Sequence, residues 1–121
     1  MAKVPSFMLK GLYQRDSLRL TDDGFTFQIK NGIGPVRLIG LLPLRVDRKP
    51  VALARCSLIH GQQELPAETV SVENSVLVRK GESVTVRVRD TAMRPGRHSL
   101  DIGIVAKDLG ELRFSVSDRV R

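Results

Sequence analysis

The stretch that decides the fold is residues 84–116, VTVRVRDTAMRPGRHSLDIGIVAKDLGELRFSV. Apolar side chains occupy every second position in three successive runs, with polar or charged side chains between them. The alternating apolar positions are Val84, Val86, Val88, Leu100, Ile102, Ile104, Leu112, Phe114 and Val116. Because residues two apart on a strand point to the same side, each run predicts a strand with one dry face and one wet face.

Loop length and parity predict three hairpins around these runs. In the first, the loop 21–24 places Leu20 opposite Phe25. In the second, an odd loop at residues 80–82 joins the valines before it to those after it. In the third, residues 108–110 join the isoleucine run to the run that contains Phe114, with a glycine available for a left-handed turn.

The remaining segments extend this pattern to the whole chain. Residues 36–46 form either one long strand or two strands hinged at Pro43, and the hinge is favoured because proline cannot donate to a sheet ladder. Residues 93–98 are suited to carrying the chain from one sheet to the other. We therefore predict an all-β fold, a two-sheet antiparallel β-sandwich of about seven to nine short strands with little helix. Residues 1–121 form a single domain in this interpretation, with residues 1–11 as a candidate extended arm.

Cysteine usage and hydropathy indicate where such a domain works. The single cysteine, Cys56, permits no intramolecular disulfide, which is typical of a reducing compartment. No run approaches the roughly 18 apolar residues of a membrane helix, and the N-terminal apolar stretch is too short for a signal peptide. We expect a cytoplasmic protein with no membrane partner.

The charge of the chain is strongly positive. Twenty Lys and Arg residues face thirteen Asp and Glu residues, which leaves a formal net charge of +7. The arginines are dispersed, and this pattern favours docking onto an acidic partner, either a larger protein subunit or another copy of the chain. A plain solvated surface and weak polyanion binding are the alternatives. No specific nucleic acid is expected, because only Tyr13 and Phe7 remain outside the predicted core as stacking residues.

Residues that carry chemistry are few. The two histidines, His60 and His98, and the lone Cys56 have none of the spacings of a metal site. We expect His98 to hydrogen-bond a backbone carbonyl, His60 to lie in an exposed turn, and Cys56 to be a small core residue. Asp118 is expected to pair with arginines across strands. The sequence therefore predicts no catalytic residues, no metal site and no cofactor.

Candidate partner-binding residues come from the basic set and from one apolar run. Arg87 and Arg89 share a strand face, and two further arginines flank the Pro-Gly corner, so that the four are expected to form one patch. The alternative is a set of surface ion pairs with Asp90, Asp101 and Glu111. The candidate partner-binding residues are Arg87, Arg89, Arg94, Arg97, Leu41 and Leu42. Exposure of the run Leu38–Leu44 would indicate an interface, and its burial a self-sufficient sandwich.

Four segments within residues 36–105 carry a first resemblance: residues 39–47, IGLLPLRVD, residues 50–51, PV, residues 84–88, VTVRV, and residues 93–100, MRPGRHSL. Together they resemble the small β-sandwich subunit of bacterial C-glycoside deglycosidases. The resemblance implies an accessory subunit that binds a larger, barrel-shaped catalytic subunit holding the divalent metal and the sugar. It assigns no catalytic residue to this chain.

A second resemblance lies nearer the N-terminus. Residues 6–13, SFMLKGLY, and 21–25, TDDGF, are similar to short bacterial proteins labelled hydroxymethylglutaryl-coenzyme A reductase. Hydride transfer requires a nicotinamide site, and the chain has neither a glycine-rich dinucleotide loop nor a βαβ pattern. We therefore predict a noncatalytic accessory or assembly subunit that binds a larger protein. An independent small ligand-binding or catalytic domain is the alternative that the sequence leaves open.

Overall fold

The computed structural model describes residues 4–120 and contains two antiparallel sheets and one short helix. Helix α1 spans Ser6–Lys10, and short 3-10 turns lie at Leu53–Arg55 and Ala67–Thr69. The strands are β1 Arg19–Leu20, β2 Gly24–Lys30, β3 Val36–Leu41, β4 Leu44–Val46, β5 Lys49–Val51, β6 Cys56–His60, β7 Gln63–Pro66, β8 Val76–Val78, β9 Ser83–Arg89, β10 Gly96–Ala106 and β11 Gly110–Val120.

The two sheets confirm the predicted sandwich. The first sheet has the strand order β1-β2-β9-β6-β7. The second is built around β10, which pairs with β11 along one side and with β3 and then β4 along the other, while β8 flanks β3 and β5 flanks β4. The eleven strands exceed the seven to nine predicted, because short segments such as Gln63–Pro66, expected in part as a loop, also pair.

The core lies between the inner faces of the two sheets. Its largest fully buried side chains are Phe25, Phe27, Leu18, Leu58, Leu100 and Val88. Gly24 begins β2 where this strand and β9 approach closely, and a β-carbon there would overlap the carbonyl oxygen of Val88. A glycine is therefore required at that position for packing rather than for backbone freedom.

Two of the three predicted hairpins are confirmed. Leu20 lies opposite Phe25, and Ile102 lies opposite Phe114. The β10–β11 turn begins one residue earlier than predicted, and Gly110, with φ of 76°, pairs with Ala106. The hinge at Pro43 is also confirmed, since the chain breaks between β3 and β4 while both strands pair with β10.

The hairpin predicted through residues 80–82 is wrong. β8 pairs with β3 in the second sheet, whereas β9 pairs with β2 and β6 in the first. The turn carries the chain across the sandwich. Valines on both sides of it are buried because the two inner faces meet, so the parity test is satisfied without any pairing of β8 with β9.

The extended arm expected over residues 1–11 is replaced, where the structure describes it, by a helix. Residues 6–10 form α1, Leu9 is buried, and the helix contacts β11. Residues 1–3 of the expected arm lie outside the described residues. Among residues 4–120, no helix has the length and apolar character needed to cross a bilayer.

Candidate functional site

The candidate arginines Arg87 and Arg89 meet one carboxylate on the outer face of the first sheet. Arg89 Nη2 lies 3.0 Å from Glu64 Oε2, and Arg87 Nη1 lies 3.6 Å from Glu64 Oε1. Ser57 donates its hydroxyl proton to the same carboxylate at 2.6 Å. We call these four residues the Glu64 cluster. It gives the two arginines an ion-pair partner that the sequence did not identify, in place of Asp90, Asp101 or Glu111.

The other two candidate arginines lie elsewhere. Arg97 lies on β10 opposite Arg119. It is on the outer face of the second sheet, because Leu100, three positions along the same strand, is buried on the inner face. The outer faces of the two sheets are on opposite sides of the sandwich. Arg94 is exposed, and its carbonyl accepts a hydrogen bond from His98. The structure therefore does not bring the four arginines into one patch.

The apolar candidates Leu41 and Leu42 are half-buried. Leu41 packs against the core, and Leu42 covers Gly103, where an added β-carbon would come within 2.8 Å of the leucine side chain. The ends of the run, Leu38 and Leu44, are buried. The run is therefore used inside the sandwich, which is the outcome expected of a self-sufficient fold.

His98 and Asp47 form a clamp at one end of the second sheet. Asp47 Oδ2 lies 2.6 Å from His98 Nδ1, and Asp47 Oδ1 accepts the backbone N–H of Ser99 at 2.9 Å. His98 Nε2 lies 2.6 Å from the carbonyl oxygen of Arg94, as the sequence predicted for this ring. Because a carboxylate and a carbonyl are both acceptors, these contacts favour the imidazolium form of the ring, which donates from both nitrogens.

The electrostatics of this clamp agree with its geometry. Partial burial lowers the pKa of His98, but the hydrogen bonds to Asp47 and to the Arg94 carbonyl, together with the charge of Asp47, outweigh it and raise the pKa above its ordinary value. The hydrogen bonds from His98 and Ser99 lower the pKa of Asp47. Neither ring nitrogen is left to act as a base. The clamp instead holds the turn between β4 and β5 against β10.

A second polar contact fastens the N-terminal segment to β11. Tyr13 donates its hydroxyl proton to Asp118 Oδ2 at 2.6 Å, and the backbone N–H of Leu18 donates to the same oxygen at 3.3 Å. Burial, and then the hydrogen bond to Asp118, raise the pKa of Tyr13, so its phenol stays protonated. The expected pairing of Asp118 with arginines is wrong, and Tyr13 is buried rather than available for stacking.

The remaining nucleophile and imidazole are also placed. Cys56 is buried in the core as predicted, and burial raises the pKa of its thiol, which makes it a poor nucleophile. His60 ends β6 and is half-buried, so the exposed turn expected for it is wrong, and its Nε2 lies 3.5 Å from Glu82 Oε1. Among residues 4–120, no three His, Cys, Asp or Glu side chains are placed to hold a metal ion.

The interior offers little room for a ligand. Two apolar cavities between the sheets each measure about 30 Å³, one lined by residues such as Ile33 and Val36 and the other by residues such as Leu53 and Cys56. That volume holds one water molecule, whereas sites for small molecules are on the order of 300–1,000 Å³. A larger polar groove of about 440 Å³ lies at the surface beside β11.

Most of the basic surface is unpaired. Among the described residues, the arginines in ion pairs are Arg87 and Arg89, with Glu64, and Arg113, with Glu111. Exposed arginines such as Arg15 and Arg119 have no carboxylate within ion-pair distance in the described part of the chain. Most cations in residues 4–120 therefore have no carboxylate within ion-pair distance.

These features define a small β-sandwich domain whose polar clusters fasten its strands and turns together. Comparison with known families identifies which one: the profile described as hydroxymethylglutaryl-CoA reductase, N-terminal domain, matches residues 8–121. The chain belongs to this family. No curated protein matches it. The match confirms the reductase-related resemblance seen at residues 6–13 and 21–25, and the resemblance to the deglycosidase subunit stays a prediction.

Proposed function

We propose that this chain is a noncatalytic assembly domain that binds a larger protein partner. The observation that carries the proposal is the unpaired basic surface on a sandwich whose apolar residues are largely satisfied internally. Exposed guanidinium groups bind carboxylates in bidentate geometry and gain strength when a partner excludes water from them. A partner with an acidic docking surface is therefore the expected ligand.

The use of the polar side chains supports this role. General acid and base catalysis needs positioned groups that can exchange a proton. In this chain, His98 donates from both nitrogens and Asp118 accepts from Tyr13, so both serve the fold. We propose that the chemistry of the assembly belongs to the partner.

The family name gives one class of partner. It describes the N-terminal domain of a reductase, so we propose the catalytic part of a reductase as one candidate partner. The resemblance of residues 39–47 and 93–100 to a deglycosidase subunit gives the other class, a sugar-processing barrel enzyme. We propose an accessory role in either case. Isolation of the complex, described next, identifies the partner.

The test is isolation of the tagged chain from its native source at about 150 mM salt, where exposed charges are screened beyond roughly 8 Å. The expected result is a stoichiometric complex with one larger protein, identified by mass spectrometry. Two variants remove equal charge from two places: Arg15→Gln with Arg19→Gln, and Arg87→Gln with Arg89→Gln. The first pair is expected to weaken the complex more, because Glu64 already engages the second pair.

Other outcomes would overturn the proposal. Elution of the chain as a free monomer from the native source contradicts a stable partner. Retention on heparin that falls steeply with salt, with equal losses in both double variants, would indicate diffuse polyanion binding by counterion release. Micromolar binding of a nicotinamide cofactor to the purified chain, measured by calorimetry, would instead indicate a reductase activity of its own.

A further inference from the structure

The longest strand at the edge of a sheet in this molecule is β11. It pairs with β10 along its whole length, from Gly110 to Val120, and among residues 4–120 no strand pairs with its other side. An unpaired edge presents a row of backbone N–H and C=O groups to solvent and can accept a further strand. The question is what this edge is built to accept.

The hydrogen bonds on the far side of β10 settle which backbone groups of β11 are free. Leu42 N–H donates to the carbonyl of Gly103 at 3.0 Å, and Asp47 N–H donates to the carbonyl of Ser99 at 2.9 Å. The backbone groups of Gly103 and Ser99 therefore point away from β11.

The register then fixes the free positions. Gly103 lies opposite Arg113 and Ser99 lies opposite Ser117, so both are non-hydrogen-bonded pairs of the antiparallel ladder. In such a pair the N–H and C=O of the second residue also point away from the first strand, and the pattern recurs every second residue. Arg113, Ser115 and Ser117 thus direct their backbone groups outward, and these residues are exposed.

The N-terminal segment lies beside this edge and leaves a groove. The groove has a volume of about 440 Å³ and is lined by Lys10, Tyr13, Arg15, Ser99, Ser115, Val116 and Ser117. Helix α1 contacts β11, and its Phe7 is 75% exposed. An extended segment running along β11 would fill the groove and cover apolar surface on the helix.

The charge along the edge is predominantly positive. Lys10 and Arg15 line the groove, and Arg119 on β11 lies opposite Arg97 on β10. The acidic residues along the edge are already engaged: Glu111 is paired with Arg113, Asp118 is buried against Tyr13, and Asp101 on β10 accepts a hydrogen bond from Ser115. A second copy of the chain would bring the same cations to the same edge, and like charges disfavour that pairing.

We propose that the open edge of β11 binds an extended acidic segment of the partner protein, which adds to the second sheet as a further strand. Its backbone would bond to Arg113, Ser115 and Ser117, and its carboxylates would meet Lys10 and Arg15. This inference rests on the proposed function and names the surface and the kind of partner segment.

The test uses the whole chain and a synthetic probe. The probe is a capped peptide that alternates Glu and Val over about nine residues, the span of the free edge, and its control alternates Lys and Val. Binding is measured by fluorescence anisotropy at about 150 mM salt. We expect the acidic peptide to bind and the basic one not to bind. Amide hydrogen exchange should slow at Arg113, Ser115 and Ser117 when the acidic peptide is present.

Matched variants separate backbone pairing from charge. Ser115→Pro removes an outward N–H and no backbone bond to β10, and proline is tolerated on edge strands. Ser115→Ala removes the hydroxyl and its hydrogen bond to Asp101, which the proline variant also loses, and keeps the backbone N–H. We expect the proline variant to bind about tenfold more weakly and the alanine variant to bind like the original chain. Lys10→Glu with Arg15→Glu should weaken binding similarly, whereas the remote exchange Lys49→Glu with Lys80→Glu should not.

Four results would overturn the proposal. Equal binding by Ser115→Pro and the original chain would reduce the effect to diffuse charge. Self-association that Ser115→Pro abolishes would assign the edge to a second copy. If Ser115→Pro does not fold, unchanged amide exchange at Arg113 and Ser117 in the original chain with peptide decides against the edge. A partner complex that survives Ser115→Pro unchanged would contradict β11 as the binding surface and would still be consistent with the proposed function.

Discussion

Asp118 and Asp47 do the same work in two different environments. Each accepts one hydrogen bond from a side chain far along the chain, Tyr13 or His98, and one from a backbone N–H in another segment. Asp118 is 5% exposed and its partner is a neutral phenol. The Asp47 side chain is 48% exposed, and its partner is charged. The buried contact stabilises the fold because it satisfies polar groups that cannot reach water. The exposed contact stabilises it through a charge pair that solvent screens and that depends on pH.

The largest effect is expected from Asp118→Ala. The change leaves the Tyr13 hydroxyl and the Leu18 N–H without an acceptor in the interior. Each unsatisfied buried donor lowers the free energy of unfolding by about 1–3 kcal/mol. We expect a loss of about 2–4 kcal/mol in the free energy of unfolding, measured with urea. Asp118→Asn keeps one acceptor oxygen and should lose less. Equal stability of Asp118→Ala and the original chain would show that the contact does not stabilise the fold.

Asp47→Asn should have a smaller effect, about 1 kcal/mol. Asp47 has φ of 50°, in the left-handed region that asparagine tolerates, so this substitution removes the charge without adding backbone strain. The loss is reduced by solvent screening of the exposed carboxylate. A loss as large as that of Asp118→Ala would contradict the contrast between the two environments.

The clamp should also make stability depend on pH. The raised pKa of His98 means that its contribution is complete below the ordinary imidazole value of about 6.5 and is lost as pH rises through the folded-state value. The lowered pKa of Asp47 means that its contribution is lost only as pH falls below about 3.9, through its own folded-state value. The stability difference between the original chain and His98→Gln, followed by urea unfolding, should therefore shrink as pH rises above about 6.5.

Tyr13→Phe is the control for this pH series. The pKa of Tyr13 is raised above its ordinary value of about 10, so the phenol is protonated in both the folded and unfolded states up to about pH 9. The loss caused by Tyr13→Phe should stay constant across the range in which the loss caused by His98→Gln declines. A parallel decline in both variants would indicate a general charge effect instead of the clamp.

The smallest effect is expected from the Glu64 cluster. Arg87 and Arg89 have side chains that are 35% and 47% exposed, and exposed ion pairs contribute about 0–1 kcal/mol. Replacing both by glutamine should lower the melting temperature slightly, and added salt should remove part of the difference. A loss of stability comparable to that of Asp118→Ala would show that the Glu64 cluster is one of the main stabilising contacts of the fold.

The local part of the fold was predictable from the sequence because it depends on short-range rules. Alternation and a permissive glycine sufficed for the β10–β11 hairpin, and the missing donor of Pro43 sufficed for the hinge. The same parity rule failed at residues 80–82, because a buried valine faces inward whichever sheet its strand joins. Helix α1 was missed because its five residues are too few for a clear period.

The polar contacts were less predictable. Tyr13 and Asp118 are separated by 105 positions, and Asp47 and His98 by 51, so no spacing rule relates them. Asp118 alternates with arginines on β11, which favoured a surface ion pair, yet its parity with Phe114 places it on the buried face. That parity was a usable signal for burial, although it could not identify Tyr13 as the partner.

We propose that the domain binds a larger protein along β11 while its polar clusters hold the fold. The most direct measurement places a photo-crosslinking amino acid at Ser115 and, in a matched sample, at the exposed Gln28 on the outer face of the other sheet. Both samples are irradiated in the native source. We expect a single adduct with a larger acidic protein from position 115 and none from position 28. Equal adducts from both positions, or an adduct with the mass of two copies of this chain, would contradict the claim.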